Sequence, residues 1–407
     1  MKLKKISAVI LSLIMIPAVF SLTGCESGQD SVIRIGSIHP LTGSMAEAGQ
    51  ALVNAQQIAV DEINAQGGIN GKMLELVTID SKGSASAAAS GARKLTNQDV
   101  VALTGAYTSG SSQAISQEAE RGTTPFVVTV AASADLLSRG YEYSFRIQPS
   151  VTTFSKNFIS YFNEYIKKKS EEELRTCVLI YENSNYGAGI ADYIKAHIDE
   201  TGLEIIGDIP YSSSTATLSS EVSKIESLSP DILIPIGYKN DQTLLVNEIL
   251  SRGLQFKAVI GVANGAFSDP DFLSSYGDRV NGYIDINYRY NTNSENTEYL
   301  ISSYREKYGK EIPVAAIYGY ESIKVIAKAL EESGSTERDA LRDSIANICI
   351  DEHVLPQEYI AFDETGEDIY AAGVMVQIQN AEPVVLYPAE YAGEEAEYIP
   401  LKQEIDL

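Results

Sequence analysis

From residue 32 to about residue 287, short runs of β-branched and other apolar residues alternate with longer stretches whose apolar residues recur at helical spacing. No other feature restricts the fold as much, because strands separated by helix-length segments need crossovers, which build a largely parallel sheet with helices on its faces. The spacing predicts strands over 33–38, 74–79, 100–103 and 126–130, with helices over 51–63, 85–95 and 113–121 between them. In the first helix Leu52, Ala55, Ile58, Ala59 and Ile63 share one face, and Gly67-Gly68 ends it.

A second series begins after Pro149, with helices expected over 154–166, 189–197, 218–228 and 244–252 and strands over 176–181, 204–209, 231–236, 258–261 and 283–287. After Tyr288 come helical patterns over 298–307, 313–332 and 338–347 with no strand series among them, so they need a sheet to cover. Returning the chain to the first unit for these helices, then to the second for final strands near 359–362 and 373–379, meets that need. The predicted fold class is α/β: two doubly wound parallel-sheet lobes joined by a multi-crossover hinge. Lobe 1 is expected over 32–149 plus 289–359, and lobe 2 over 150–288 plus 360–407. Hinged lobes of this kind close over a ligand held in the cleft.

Composition narrows the function. Of 407 residues, 44% are hydrophobic and 21% charged, which excludes disordered and low-complexity classes. Lys and Arg number 31 against 55 Asp and Glu, a net charge of -24 that repels nucleic acid. The three cysteines (Cys25, Cys177, Cys349) and three histidines (His39, His197, His353) are widely separated with no metal-ligand spacing, so no metal or other cofactor is expected. Cys177 lies in an apolar run, which favours a buried reduced thiol over pairing with Cys349.

Lys2, Lys4 and Lys5 precede an apolar stretch over 6–22, the charge-then-apolar order of a secretory signal. Pro17 and several serines interrupt that stretch, and a membrane span needs roughly 20 mostly apolar residues. Leu22-Thr23-Gly24-Cys25 resembles a bacterial lipobox. The resemblance implies a signal peptide over 1–24, lipidation of Cys25 and a tether over 25–31, hence export and anchorage on the outer face of the cytoplasmic membrane. An ordinary signal peptide with a nearby cysteine is the alternative.

Catalytic motifs are missing: Gly67-Gly68-Ile69-Asn70-Gly71-Lys72 is followed by Met73 and lacks the spacing of a phosphate-binding loop, and there is no GxSxG elbow. A non-enzymatic protein is expected.

Several segments carry a resemblance that spans the chain after the tether: Pro40-Leu41-Thr42-Gly43 ahead of Gly49, 59–64 followed by Gly67-Gly68-Ile69-Asn70-Gly71, and Ser138-Arg139-Gly140-Tyr141. Further along are Tyr186-Gly187, Gly237-Tyr238 and Phe362-Asp363 with Gly366. Their order resembles the leucine/isoleucine/valine-binding proteins of ABC transporters, with the type I periplasmic binding protein fold. The resemblance implies that Ser109 and nearby main-chain N–H groups hold a ligand carboxylate, and the start of a helix suits an anion physically. A capping role for Ser109 or Ser111 is the structural alternative. The resemblance further implies that the Ala131 carbonyl and Ser133 hydroxyl receive an ammonium, and that Tyr186 and Tyr238 descend from the second lobe.

Two departures bear on the ligand. Asn264 precedes Gly265 where amino-acid binders carry an acid, so either Glu47 or Asp285 substitutes or the ligand lacks an ammonium, because an uncompensated buried cation costs several kcal/mol. Ala48 stands where the family often has an aromatic residue, which enlarges the pocket. The expected protein is a monomeric, lipid-anchored solute-binding component of an ABC importer, taking an amino acid or related small carboxylate and delivering it to permease subunits. The alternatives are a sensory module and a binder of an aromatic acid, amide or nucleoside.

Overall fold

The computed structural model describes residues 32–393 and 396–401, so the signal, Cys25 and the tether lie outside the described residues. The first apolar alternations become β1 (Val32–His39), β2 (Met73–Asp80), β3 (Ala102–Gly105), β4 (Phe126–Val128) and β5 (Ser144–Arg146). They form one parallel sheet in the order β2-β1-β3-β4-β5. The connecting helices are α1 (Ala46–Ala65), α2 (Ala85–Thr96) and α3 (Ser109–Arg121).

The second series begins with α4 (Val151–Tyr161), which runs through a π-helical turn into α5 (Lys167–Lys169). It continues with β6 (Thr176–Glu182), α6 (Gly187–His197), β7 (Glu204–Tyr211), α7 (Ser219–Leu228), β8 (Ile232–Ile236), α8 (Lys239–Arg252), β9 (Ala258–Val262), α9 (Pro270–Tyr276) and β10 (Ile284–Asn287). α9 was not expected; it starts on Asp269, whose carboxylate accepts from the N–H groups of Asp271 and Phe272, with Pro270 in the first turn.

The helices α10 (Glu295–Tyr308), α11 (Ile317–Ser333) and α12 (Arg338–Ala346) return to the first sheet, as expected. Gly319 permits α11 to meet α1 so closely that any side chain there would strike the Leu52 carbonyl. The Thr104 hydroxyl of β3 donates to Ser322 of α11 at 2.8 Å, and the Arg338 guanidinium donates to the carbonyls of Val100, Thr96 and Gly122.

The end of the chain departs from expectation. The strand expected near 359–362 is β12 (Ile360–Ala361), which pairs with β11 (Cys349–Ile350) in a sheet of its own instead of joining the second lobe. The segment after it stays on the first lobe: the Phe362 ring packs at a tilt against Phe145, with centroids 5.3 Å apart, and the Gly366 carbonyl accepts from the Arg146 N–H at 2.8 Å. Only β13 (Val374–Gln379) crosses over, and an unexpected hairpin partner, β14 (Glu382–Tyr387), follows it. The second sheet thus runs β14-β13-β10-β9-β8-β6-β7, parallel except at the antiparallel pairings of β13 with β10 and with β14.

The chain passes between the sheets after β5, after β10 and before β13, so the lobes share a three-strand hinge. Cys177, buried in β6, and Cys349, exposed in β11, are free thiols.

Candidate functional site

The parallel strands of both lobes end at a common cleft, where α/β sheets place ligands. Its inner part is a pocket of about 390 Å³, counting space open to solvent, lined from the first lobe by Tyr107, Ser109, Val130, Ala132 and Gln148, and from the second by Phe154, Tyr186, Gly237, Tyr238, Ala263, Gly265 and Tyr288. No charged side chain is among these lining residues.

α3 starts at the pocket because Thr108 is extended and accepts from the Ser111 N–H through its own hydroxyl, at 3.4 Å. Thr108 is therefore the cap, and Ser109 is free for another task. Its hydroxyl accepts from the Ser133 N–H at 3.3 Å, which leaves its own O–H to donate. The Ser109 and Gly110 N–H groups belong to the first turn and have no intrahelical partner, so this end of the 13-residue helix presents donors and the positive end of its dipole.

Tyr238 joins the two sides: its ring lies 5.8 Å from Tyr107 of the first lobe and 5.1 Å from Tyr186 of its own. Tyr186 donates its O–H to the Ala263 carbonyl, and Ala263 holds φ at 50°, a left-handed conformation unusual for alanine. Burial raises the pKa values of Tyr186 and Tyr238, so both rings are neutral phenols.

Beneath this wall lies a polar network. The Tyr211 O–H donates to Asp241 at 2.6 Å and accepts from Gln242, whose carbonyl accepts from the Asn264 amide at 2.9 Å. Burial pushes the Asp241 carboxyl up to about 6 against the Tyr211 hydrogen bond. Gly237 has no room for a side chain, because the Tyr211 hydroxyl, Asp241 and Gln242 fill the space beside it.

An outer cleft of about 850 Å³, counting space open to solvent, carries the charges missing from the inner pocket. There Lys239 reaches from the second lobe to Glu47 of the first at 3.1 Å, and to Asp269 at 2.8 Å and Asp271 at 3.0 Å of its own. Burial alone would lower the Lys239 pKa, but these three carboxylates raise it. Beside it the Asn240 amide donates to the Ser44 carbonyl at 2.7 Å, a second bond across the cleft.

A model of the periplasmic binding protein family matches residues 32–382. The chain belongs to the periplasmic binding protein family. Among its relatives is Leu/Ile/Val-binding protein homolog 7 of Brucella abortus, 26% identical over 366 residues that cover 88% of this chain and 91% of that one. Among solved structures it is similar to the branched-chain amino acid transporter substrate-binding protein LivJ of Streptococcus pneumoniae, in complex with isoleucine, at 24% identity and a TM-score of 0.76, covering 87% of this chain and 100% of that one. It is also similar to a solute-binding protein of an ABC transporter from Rhodopseudomonas palustris, in complex with 3,4-dihydroxy benzoic acid, at 18% identity and a TM-score of 0.77, covering 90% and 99%. The shared fold is that of the type I periplasmic binding proteins.

This periplasmic binding protein brings Ser109, Tyr186 and Tyr238 together at the inner pocket. It does not bring Ala131 and Ser133 to the wall. Their carbonyls accept from the fully buried Arg146 guanidinium, at 3.2 Å and 2.7 Å, and the Ser133 hydroxyl accepts from Gln113 at 3.4 Å, so Ala132 between them lines the pocket instead. Asn264 borders the outer cleft, but its side chain is committed to the fold: it donates to Gln242 and the Pro235 carbonyl and accepts from the Ala266 and Phe267 N–H groups. Neither substitute acid faces the inner pocket. Glu47 pairs with Lys239, and Asp285 is buried, raised by desolvation to about 7 and bonded to the Asn264 N–H and the Asn287 amide. Tyr107, Gln148 and Tyr288 were not foreseen; Tyr107 directly precedes the cap of α3, and its nearness to the serine run was the one available signal.

Proposed function

We propose that this protein is the solute-capturing component of an ABC importer and holds a small carboxylate between its lobes. The observation that carries this is the pairing of the Ser109 O–H and the first-turn N–H groups of α3 with a tyrosine wall from the second lobe, in one pocket. The carboxylate docks on α3, and closing Tyr186 and Tyr238 over it removes water, so each hydrogen bond strengthens as the dielectric falls. Micromolar affinity requires only ~8 kcal/mol, within reach of a few such bonds in a dry cleft.

Relatives named for leucine, isoleucine and valine, and a neighbour holding isoleucine, support an amino acid as the carboxylate. A second reading, an aromatic carboxylate, is favoured by the four tyrosines of the inner pocket and by the neighbour with a bound dihydroxybenzoic acid. The protein does no chemistry on its ligand, is exported, works as a monomer beside its permease and is held at the membrane by lipid on Cys25. Among the described residues no helix is long and apolar enough to cross a membrane.

A thermal-shift screen over amino acids, aromatic acids, amides and nucleosides tests the reading, because a ligand of the folded state raises Tm by mass action. A carboxylate is expected to raise Tm, and to do so less in Ser109→Ala and Tyr238→Ala. A ligand unaffected by both substitutions would contradict the site, and turnover of a bound amide would contradict the absence of chemistry.

A further inference from the structure

Gln148 follows β5 at the first crossing between the lobes and lines the inner pocket. It is 1% exposed, and its Oε1 has no hydrogen-bond partner among the described residues. Its polar neighbours in sequence are engaged elsewhere: the Arg146 guanidinium on Ala131, Ser133 and Glu367, and the Ser150 hydroxyl on the Thr153 N–H. A buried amide oxygen without a donor is costly, and folded proteins keep few of them. In the wall of a ligand pocket, that cost is recovered when the ligand supplies the donor.

Resting on the carboxylate-binding reading above, we infer that Gln148 selects the ligand, and that the ligand class is a small carboxylate bearing a neutral carboxamide. A carboxamide complements a carboxamide, since its N–H donates to Oε1 while its carbonyl accepts from the Gln148 amide N–H. An ammonium would suit the site poorly, because the inner lining has no carboxylate and Asp285 is tied to Asn264 and Asn287. A purely aliphatic group would leave Oε1 buried and unpaired. A site built around a hydrogen bond discriminates strongly against the analogue that lacks it.

Two pairs of near-isosteres test this by titration calorimetry: asparagine against leucine, and succinamate against isocaproate. The amide member of at least one pair is expected to bind about tenfold tighter or better to the parent protein. Gln148→Leu is expected to abolish or reverse that order while its unliganded Tm is no lower than that of the parent. Gln148→Met, read alongside, covers the case in which the leucine variant fails to fold. Tighter binding of the aliphatic members, or an amide preference that survives both substitutions, would overturn the role of Gln148. If none of the four probes binds while another carboxylate binds in a Ser109-dependent manner, the amide inference falls and the functional reading stands. If no carboxylate of either panel binds, both fall.

Discussion

At the residue scale the site depends on which hydroxyls remain free after capping. Thr108 takes the cap, Ser112 accepts from the Ala106 N–H at 3.1 Å, and Ser109 is left with a donor facing the pocket. Ser109→Ala is therefore expected to weaken a carboxylate ligand about tenfold in calorimetry, the scale of a hydrogen bond to a charged acceptor, with little change in unliganded Tm. Glu321 of α11 supplies a second prediction. It is 1% exposed, one oxygen accepts from the Val354 N–H at 2.7 Å, the other has no partner among the described residues, and desolvation raises its pKa from 4.5 to about 7. The folded form holds a proton that the unfolded chain has already released between those values, so its stabilising contribution is full below about pH 4.5 and is lost as pH rises through 7. Glu321→Gln is expected to leave Tm almost unchanged at pH 4.5 and to raise it by a few degrees at pH 8. Equal shifts at both values would contradict this. Ser109 was reached in the sequence through the family resemblance, with a serine run at the start of a helix as its physical support. Ala131, Ser133 and Gln148 were not, because their roles depend on Arg146 and on a pocket assembled from distant segments.

At the element scale the strand–helix alternation was readable nearly throughout, and the errors have local causes. α3 begins at Ser109 instead of 113 because a side-chain cap offsets the poor helix preference of four residues rich in serine and glycine. β14 was missed because its hairpin turns through Asn380 and Ala381, at φ 53° and 61°, where a glycine would have marked the turn. β12 was misplaced because two apolar residues look alike whichever sheet they join. The element with the most mechanical weight is β5, since Arg146 ties the 131–133 loop to the hinge through Glu367, and its N–H bonds Gly366. Arg146→Met is expected to cost about 2–4 kcal/mol in urea unfolding, somewhat under the usual figure for a broken buried pair because 29% of the Glu367 side chain is exposed. A loss below about 1 kcal/mol would show that the loop and hinge do not depend on this residue.

At the scale of the whole molecule, two sheets joined by three crossings make a body whose internal freedom is concentrated at the hinge. The contacts from Lys239 to Glu47 and from Asn240 to Ser44 are made only when the lobes are together, so they bias the equilibrium toward closure before a ligand adds its own preference. Lys239→Met is expected to increase the radius of gyration of the unliganded protein in X-ray scattering and to speed ligand release, leaving the pocket wall in place. An unchanged radius and release rate would remove this clasp from the account. The two-lobed design was readable from the sequence because three strandless helices needed a sheet to cover. Contacts across the cleft were not, because they pair residues nearly two hundred positions apart. The most direct test of the central claim is a pair of crystal structures, without ligand and with the carboxylate that raises Tm most. The account predicts a narrower cleft in the second, with the carboxylate on the Ser109 hydroxyl and the first-turn N–H groups of α3 and the Tyr238 ring over the ligand. A cleft of equal width in both, or a ligand bound away from α3, would contradict it.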